Sequence, residues 1–217
     1  MKIKNRITNA FRYLMVEKGF DHIVVEDILK EAGVARSTFY RRFHDKYDVM
    51  NYYFVRELAE NSSPYEKSLE FYARSVAEYY YIVAKDPLYY QEAFKTVGQN
   101  SFSHFIFDNF YQWLIKMKQA ASGSDYVSTE DLYAFSFASA GCLEMISRWV
   151  KEEMRIPMIE ITQWELRNAP GAVLEMFQDS DLASRQYITK EKIQKILNDV
   201  QLEVSERPDY LKSKLIF

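Results

Sequence analysis

The sequence predicts an all-α chain: an N-terminal three-helix helix-turn-helix head followed by a larger helical-bundle body. Three observations lead there. Apolar residues recur at intervals of three and four along most of the 217 residues, and no stretch alternates as a strand would. Glycine and proline are scarce, at 6 and 5, and several fall where one apolar stripe stops and the next begins. The run Val25–Lys46, VEDILKEAGVARSTFYRRFHDK, has the spacing of two short helices around a tight turn.

The first helix is expected from about residue 2 to Lys18, with Ile3, Ile7, Phe11 and Leu14 as its inner stripe and Gly19 as its end. Phe20 plugs the corner that follows. The second helix covers Val25–Ala32, with Ile28 and Leu29 turned inward. Gly33 makes the turn, since the residue just past a helix end often needs a positive φ. Val34 is an apolar plug. The third helix covers Arg36–Phe43, with Phe39 and Phe43 four apart on the inner face. The last helix of such a unit enters the DNA major groove. Arg36, Ser37 and Thr38 crowd its N-terminal end, where base edges are read, and Tyr40, Arg41 and Arg42 reach phosphate or base.

This segment resembles the DNA-binding unit of the TetR family of bacterial transcription regulators. The matching residues are Gly19-Phe20, Ala32-Gly33-Val34, Ser37-Thr38-Phe39-Tyr40, Phe43 and Asp45-Lys46, within residues 3 to 50. The resemblance implies a DNA-binding domain at residues 1–50 that engages a double-stranded operator, with Tyr40 and Lys46 on phosphates. It implies a body at residues 51–217 that binds a small-molecule effector and forms a homodimer, and a repressor as the most common role. One departure stands out. Where the family often has a threonine just before the second helix, as cap and phosphate contact, this chain has Val24 and Val25, so no side-chain oxygen caps that helix. The body loosely resembles the regulators of dihydroxyacetone-kinase operons, at Tyr80-Tyr81 ahead of Asp86 and at Gly141, Ile146, Arg148 and Trp149.

The fourth helix starts at Lys46, with Val49, Met50, Tyr53 and Phe54 as its stripe, and ends by Asn61-Ser62-Ser63-Pro64. A fifth is expected over Tyr65–Lys85. Asp86 as N-cap and Pro87 in the first turn start a short sixth helix that runs to about Val97. Ser101 caps the seventh, which ends in a loop at Ala120–Ser124. Ser128 or Thr129 caps the eighth, expected to reach Met154 and carrying a small-residue patch at Ala138–Cys142. The segment Ile159–Phe177 is interrupted at Ala169-Pro170-Gly171, because proline cannot donate to the helical ladder. With the eighth helix it is the expected dimer interface. After a loop at Asp179-Ser180-Asp181, a last helix begins at Thr189, with Ile188 stapled onto Ile193. Glu206-Arg207-Pro208 ends it, and the tail Leu211–Phe217 is apolar enough to dock.

Charge is uneven. Residues 1–56 hold 11 Lys and Arg against 7 Asp and Glu, and the remainder holds 17 against 24. A basic head on an acidic body suits a DNA-binding module with a separate body. The single cysteine, Cys142, excludes a disulfide framework within one chain and reads as a small buried residue. His22, His44 and His104 have no metal-ligand spacing, there is no phosphate-cradling glycine loop, and no catalytic constellation appears. No enzyme activity, cofactor or metal is therefore expected. With no apolar run behind the N-terminal residues, and Leu132–Leu143 as the longest uncharged stretch, neither a signal peptide nor a membrane span is expected, and the protein is placed in the cytoplasm.

Aromatic residues make up 16% of the chain and concentrate in the fifth to eighth helices. Tyrosine and tryptophan suit a ligand pocket, being apolar walls with polar tips. By the family resemblance, helices five to eight enclose the effector, and Tyr79, Tyr80, Phe94, Phe105, Trp113, Tyr133 and Phe137 are its candidate lining. The alternative of another class is a helical dimer that docks proteins through its body, with DNA contact secondary.

Overall fold

The computed structural model describes residues 3–59, 65–177 and 189–206. Eleven helices are found there, with no strand among the described residues. The break at Asn61–Pro64, the loop at Asp179–Asp181, the Ile188 staple and the tail from Arg207 onward lie outside them.

α1 (Ile3–Lys18) buries Ile7, Phe11, Leu14 and Met15. Gly19, at φ 75°, releases the chain into a single 3-10 turn at Phe20–His22. α2 (Val25–Ala32) and α3 (Arg36–Tyr40) follow. α3 is shorter than its apolar spacing predicts. Arg41 and Arg42 leave regular helix in a tight turn, though the Phe43 amide still bonds the Phe39 carbonyl at 2.9 Å. α4 (Lys46–Ala59) is continuous across the expected head–body boundary and packs on α1 as well as on the body.

The body is built from α5 (Leu69–Lys85), α6 (Pro87–Ala93), α7 (Phe102–Ser122), α8 (Thr129–Lys151), α9 (Met158–Asn168), α10 (Gly171–Leu174) and α11 (Lys190–Glu206). α5 starts four residues later than expected because Ser68 caps it, its Oγ accepting the Phe71 amide at 3.1 Å. Tyr65 sits outside that helix and donates its hydroxyl to the Met176 carbonyl. Ser101 and Ser128 cap α7 and α8 through the amides of His104 and Asp131. α8 stops at Lys151, short of Met154, because Glu153 and Met154 both take left-handed backbone (φ 57° and 56°). Such a turn is costly without glycine. It is held by the Met154 amide on the Trp149 carbonyl and the Trp149 indole N–H on the Ile156 carbonyl, both at 2.8 Å. α7 and α8 form the most extensive pair, and α11 braces α5 and α9 with Ile193, Ile196, Leu197 and Val200 buried. One apolar core runs from Ile7 in the head to Val200 in the brace, so head and body are not separated by a gap.

Candidate nucleic-acid interface

The turn between α2 and α3 is fixed from both sides. Gly33 adopts left-handed backbone (φ 61°), its amide bonding the Lys30 carbonyl at 3.2 Å while the Val34 amide bonds Leu29 at 3.1 Å. This closes the carbonyl end of α2 as a left-handed C-terminal cap does. Arg6 then reaches over from α1 and donates to the Ala32 and Gly33 carbonyls at 2.7 and 3.0 Å. At the other end of α2 no side chain caps the helix, as Val24 implies. Instead the Val24 amide donates to Asp27 Oδ2 at 3.1 Å. The Lys18 ammonium, 2.9 Å from Asp27, holds that carboxyl below its ordinary range, helped by the Val24 amide.

α3 is thereby presented with Phe39 and Phe43 buried beneath it and its other face bare. Arg36, Ser37, Tyr40, Arg41 and Arg42 are exposed and Thr38 is half-buried. Five of the seven residues expected at DNA are thus exposed. Arg36 is not idle there. It forms an ion pair with Glu26 of α2, both side chains being more than half exposed. Lys46 is placed differently from expectation. Its ammonium donates to the Phe20 and Ile23 carbonyls, each at 2.9 Å, and lies 4.2 Å from the Phe20 ring centroid. Two of its three N–H bonds therefore tie α4 to the corner after α1, and it is half-buried instead of standing free.

The head meets the body at a compact polar node. Arg12 of α1 grips Asp86 with two hydrogen bonds of 2.8 Å, and the Tyr53 hydroxyl of α4 donates to the same carboxylate at 2.7 Å. Asp86 occupies the position before α6 but makes no side-chain cap there, because its carboxylate is taken by these partners. The Arg12 guanidinium is held above its ordinary value by the Asp86 hydrogen bonds. Beside it the Tyr89 hydroxyl donates to the Met50 carbonyl at 3.0 Å, and the Tyr53 and Tyr89 rings lie 4.3 Å apart. Neither Arg12 nor Tyr53 carries a sequence signal for this role, since Arg12 meets its partner 74 residues away.

The seven aromatic candidates for an effector lining do not all come together. Tyr79, Phe94 and Phe105 join one cluster around Phe54 and Phe102. Trp113 stacks with Phe110, Tyr72 and Phe177, and the Tyr79–Phe110 contact at 6.1 Å joins this stack to the first cluster. Tyr80 sits edge-on to Trp149 at 5.4 Å. Tyr133 and Phe137 are not interior at all, being 76% and 74% exposed. At 100° per residue, 133, 137, 140 and 141 share the outer face of α8, while Phe135, Ser139, Cys142 and Ile146 share the buried one. An open cleft lies between the start of α4 and the loop before α7, lined by Asp45, Asp48, Asn51, Asn100, His104 and Asp108 among others, and of the seven aromatics Phe105 alone reaches it. No group of three or more His, Cys, Asp or Glu side chains is arranged to hold a metal among the described residues.

Two family models match the chain. Residues 7–53 match that of bacterial regulatory proteins of the tetR family, and residues 75–164 match that of a transcriptional regulator C-terminal region. The chain belongs to the TetR family. The first match spans α1 to α4, including Gly33, the bare face of α3 and the Arg12 and Tyr53 arms of the node. The second begins within α5 and ends within α9, so it spans the α7–α8 pair. No curated protein matches the chain. As a TetR-family member it is a DNA-binding transcriptional regulator with an all-α fold. No helix among its described residues is long and apolar enough to cross a membrane.

Proposed function

We propose that this regulator is a cytoplasmic, ligand-responsive repressor that binds a near-palindromic operator as a homodimer. The bare face of α3 carries the reading. Arg36 to Arg42 offer exposed cations and hydroxyls on a buried Phe39–Phe43 footing, and the turn that aims them is pinned by Arg6. Residues 1–50 form the operator-reading head and residues 51–217 the effector and dimer body. One head covers too little DNA for useful discrimination, so two act together on related half-sites. The outer stripe of α8 supports the pairing: Tyr133 and Phe137 stand exposed beside Ala140 and Gly141, which let a second helix approach closely. Ile159–Phe177 continues that interface. The effector is mainly apolar or aromatic, with one or two polar groups met in the body, and it acts by binding one head spacing better than the other. The route runs from α6 through Asp86 to α4 and α1.

The test is binding of the purified chain to the DNA flanking its own gene, against an unrelated duplex of equal length, over a salt series. Preference for the flanking DNA by about three orders of magnitude is expected. Equal affinity for both duplexes would leave only non-specific phosphate binding and would remove the operator reading. Sedimentation at micromolar concentration checks the dimer.

A further inference from the structure

Glu165 of α9 is buried in the body, and none of its contacts among the described residues is an ion pair. Its carboxylate accepts the Tyr80 hydroxyl at 2.6 Å and a hydrogen bond from the Cys142 thiol. Two donors, one of them a weak thiol, leave a carboxylate under-satisfied, since it has about four acceptor sites. Burial pushes the Glu165 carboxyl above its ordinary value, the two hydrogen bonds opposing it. A carboxylate in such a place is normally paired with a cation or replaced by an apolar residue.

A second observation points the same way. Thr162 lies one turn before Glu165 on the same face of α9, is fully buried, and its hydroxyl has no hydrogen-bond partner. The Tyr79 hydroxyl on the facing α5 is likewise buried and unpartnered. Tyr79 directly precedes Tyr80, which bonds Glu165, and burial raises the Tyr79 hydroxyl with the Cys142 and Glu165 charges adding to it. Buried polar atoms without partners are rare in native proteins and call for an explanation. A carboxylate short of donors and two buried hydroxyls short of partners, beside Tyr80 and Trp149, make a buried polar cluster that lacks a donor-rich group.

We propose that the buried polar cluster at Glu165 is the polar end of the effector site and that it takes a protonated amine or amidinium carried on an aromatic or aliphatic body. This rests on the ligand-responsive reading above and names the effector's chemical class. The ammonium pairs with Glu165, and its remaining N–H groups donate to the Thr162 and Tyr79 hydroxyl oxygens.

The probes are 2-phenylethylamine and its neutral near-isostere 2-phenylethanol, with binding to the full chain followed by calorimetry and by shift of melting temperature. The amine is expected to bind about tenfold or more tighter than the alcohol, the margin of one charge-assisted hydrogen bond. In Glu165→Gln the preference disappears while the alcohol's affinity stays. The variant alone melts no lower than the parent, because a neutral amide escapes the burial penalty. Equal affinity of the two probes for the unaltered chain, or binding of neither at low millimolar concentration, would overturn the proposal without needing any variant. Operator binding measured on the same samples separates the two readings. Amine binding with unchanged operator affinity keeps the cation-binding cluster and removes its effector role. Operator release by neutral compounds alone keeps the effector role and removes the cation-binding cluster.

Discussion

Replacing Asp86 with asparagine should loosen the junction between head and body more than any other single polar change. The substitution keeps shape and removes charge. It strips two guanidinium hydrogen bonds of their ionic partner and weakens a third from Tyr53. Hydrogen bonds to charged groups contribute about 1.5–3 kcal/mol, and orphaning one member of a fully buried ion pair costs about 3–5 kcal/mol. Arg12 keeps 22% of its side-chain exposure and Asp86 keeps 9%, so the freed guanidinium regains some water. That places Asp86→Asn at about 2–4 kcal/mol, or roughly 5–15 °C in melting temperature for a chain of this size. The assay is a double-mutant cycle with Arg12→Met, read by denaturant unfolding. If the node acts as a unit, the double variant loses about 1–3 kcal/mol less than the two singles combined. Additivity within about 0.5 kcal/mol would refute the reasoning, since it would mean Arg12 and Asp86 do not support one another.

Three further outcomes follow from the interface. Arg36→Ala should cost about 1–3 kcal/mol at one operator base pair and relax specificity there, whereas equal losses on all sequences would make Arg36 a phosphate clamp. Lys46→Ala should lower stability by about 1–3 kcal/mol, because the Phe20 and Ile23 carbonyls lose a charged donor. If its third N–H also meets a phosphate, the slope of log affinity against log salt falls by about 1 as well, and an unchanged slope leaves Lys46 purely structural. Phe137→Glu should turn a dimer into a monomer in sedimentation at micromolar concentration without lowering the helical content. A persisting dimer would place the interface away from the α8 stripe.

Local signals were the legible part. The first helix, the glycine turn and the capping serines at 101 and 128 follow from period and residue type, and they appear where those rules put them. The outward set on α3 was legible for the same reason, because Phe39 and Phe43 declare the buried face and leave the rest outside. Pairings between distant segments were not. Asp86 before Pro87 reads locally as a cap, yet Arg12 and Tyr53 compete for its carboxylate and win. Lys46 reads, by the family resemblance, as a phosphate contact, yet two carbonyls of the preceding corner lie within reach. The exposure of Tyr133 and Phe137 is readable from their spacing, which sets them on the opposite face of α8 from Phe135 and Ser139, whereas aromatic content and the family resemblance place them in a pocket lining. The buried Glu165 had no signal, since α9 carries Thr162, Gln163 and Glu165 inward against the usual polarity of a helix.

The pairing of Arg36 with Glu26 means that, if Arg36 reads a base as proposed, the chain supplies its own competitor for that side chain. An exposed ion pair of this kind contributes less than about 1 kcal/mol. A guanine edge offering two acceptors, at about 1–3 kcal/mol, displaces it, whereas a single screened phosphate gains little by doing so. On that reading Glu26 would work as a threshold. It would tax every encounter with DNA by the same small amount, and the right base would recover more than that amount. On that proposed role, the regulator would slide more freely over a wrong sequence than its basic head alone would permit, and would stop where a guanine meets Arg36.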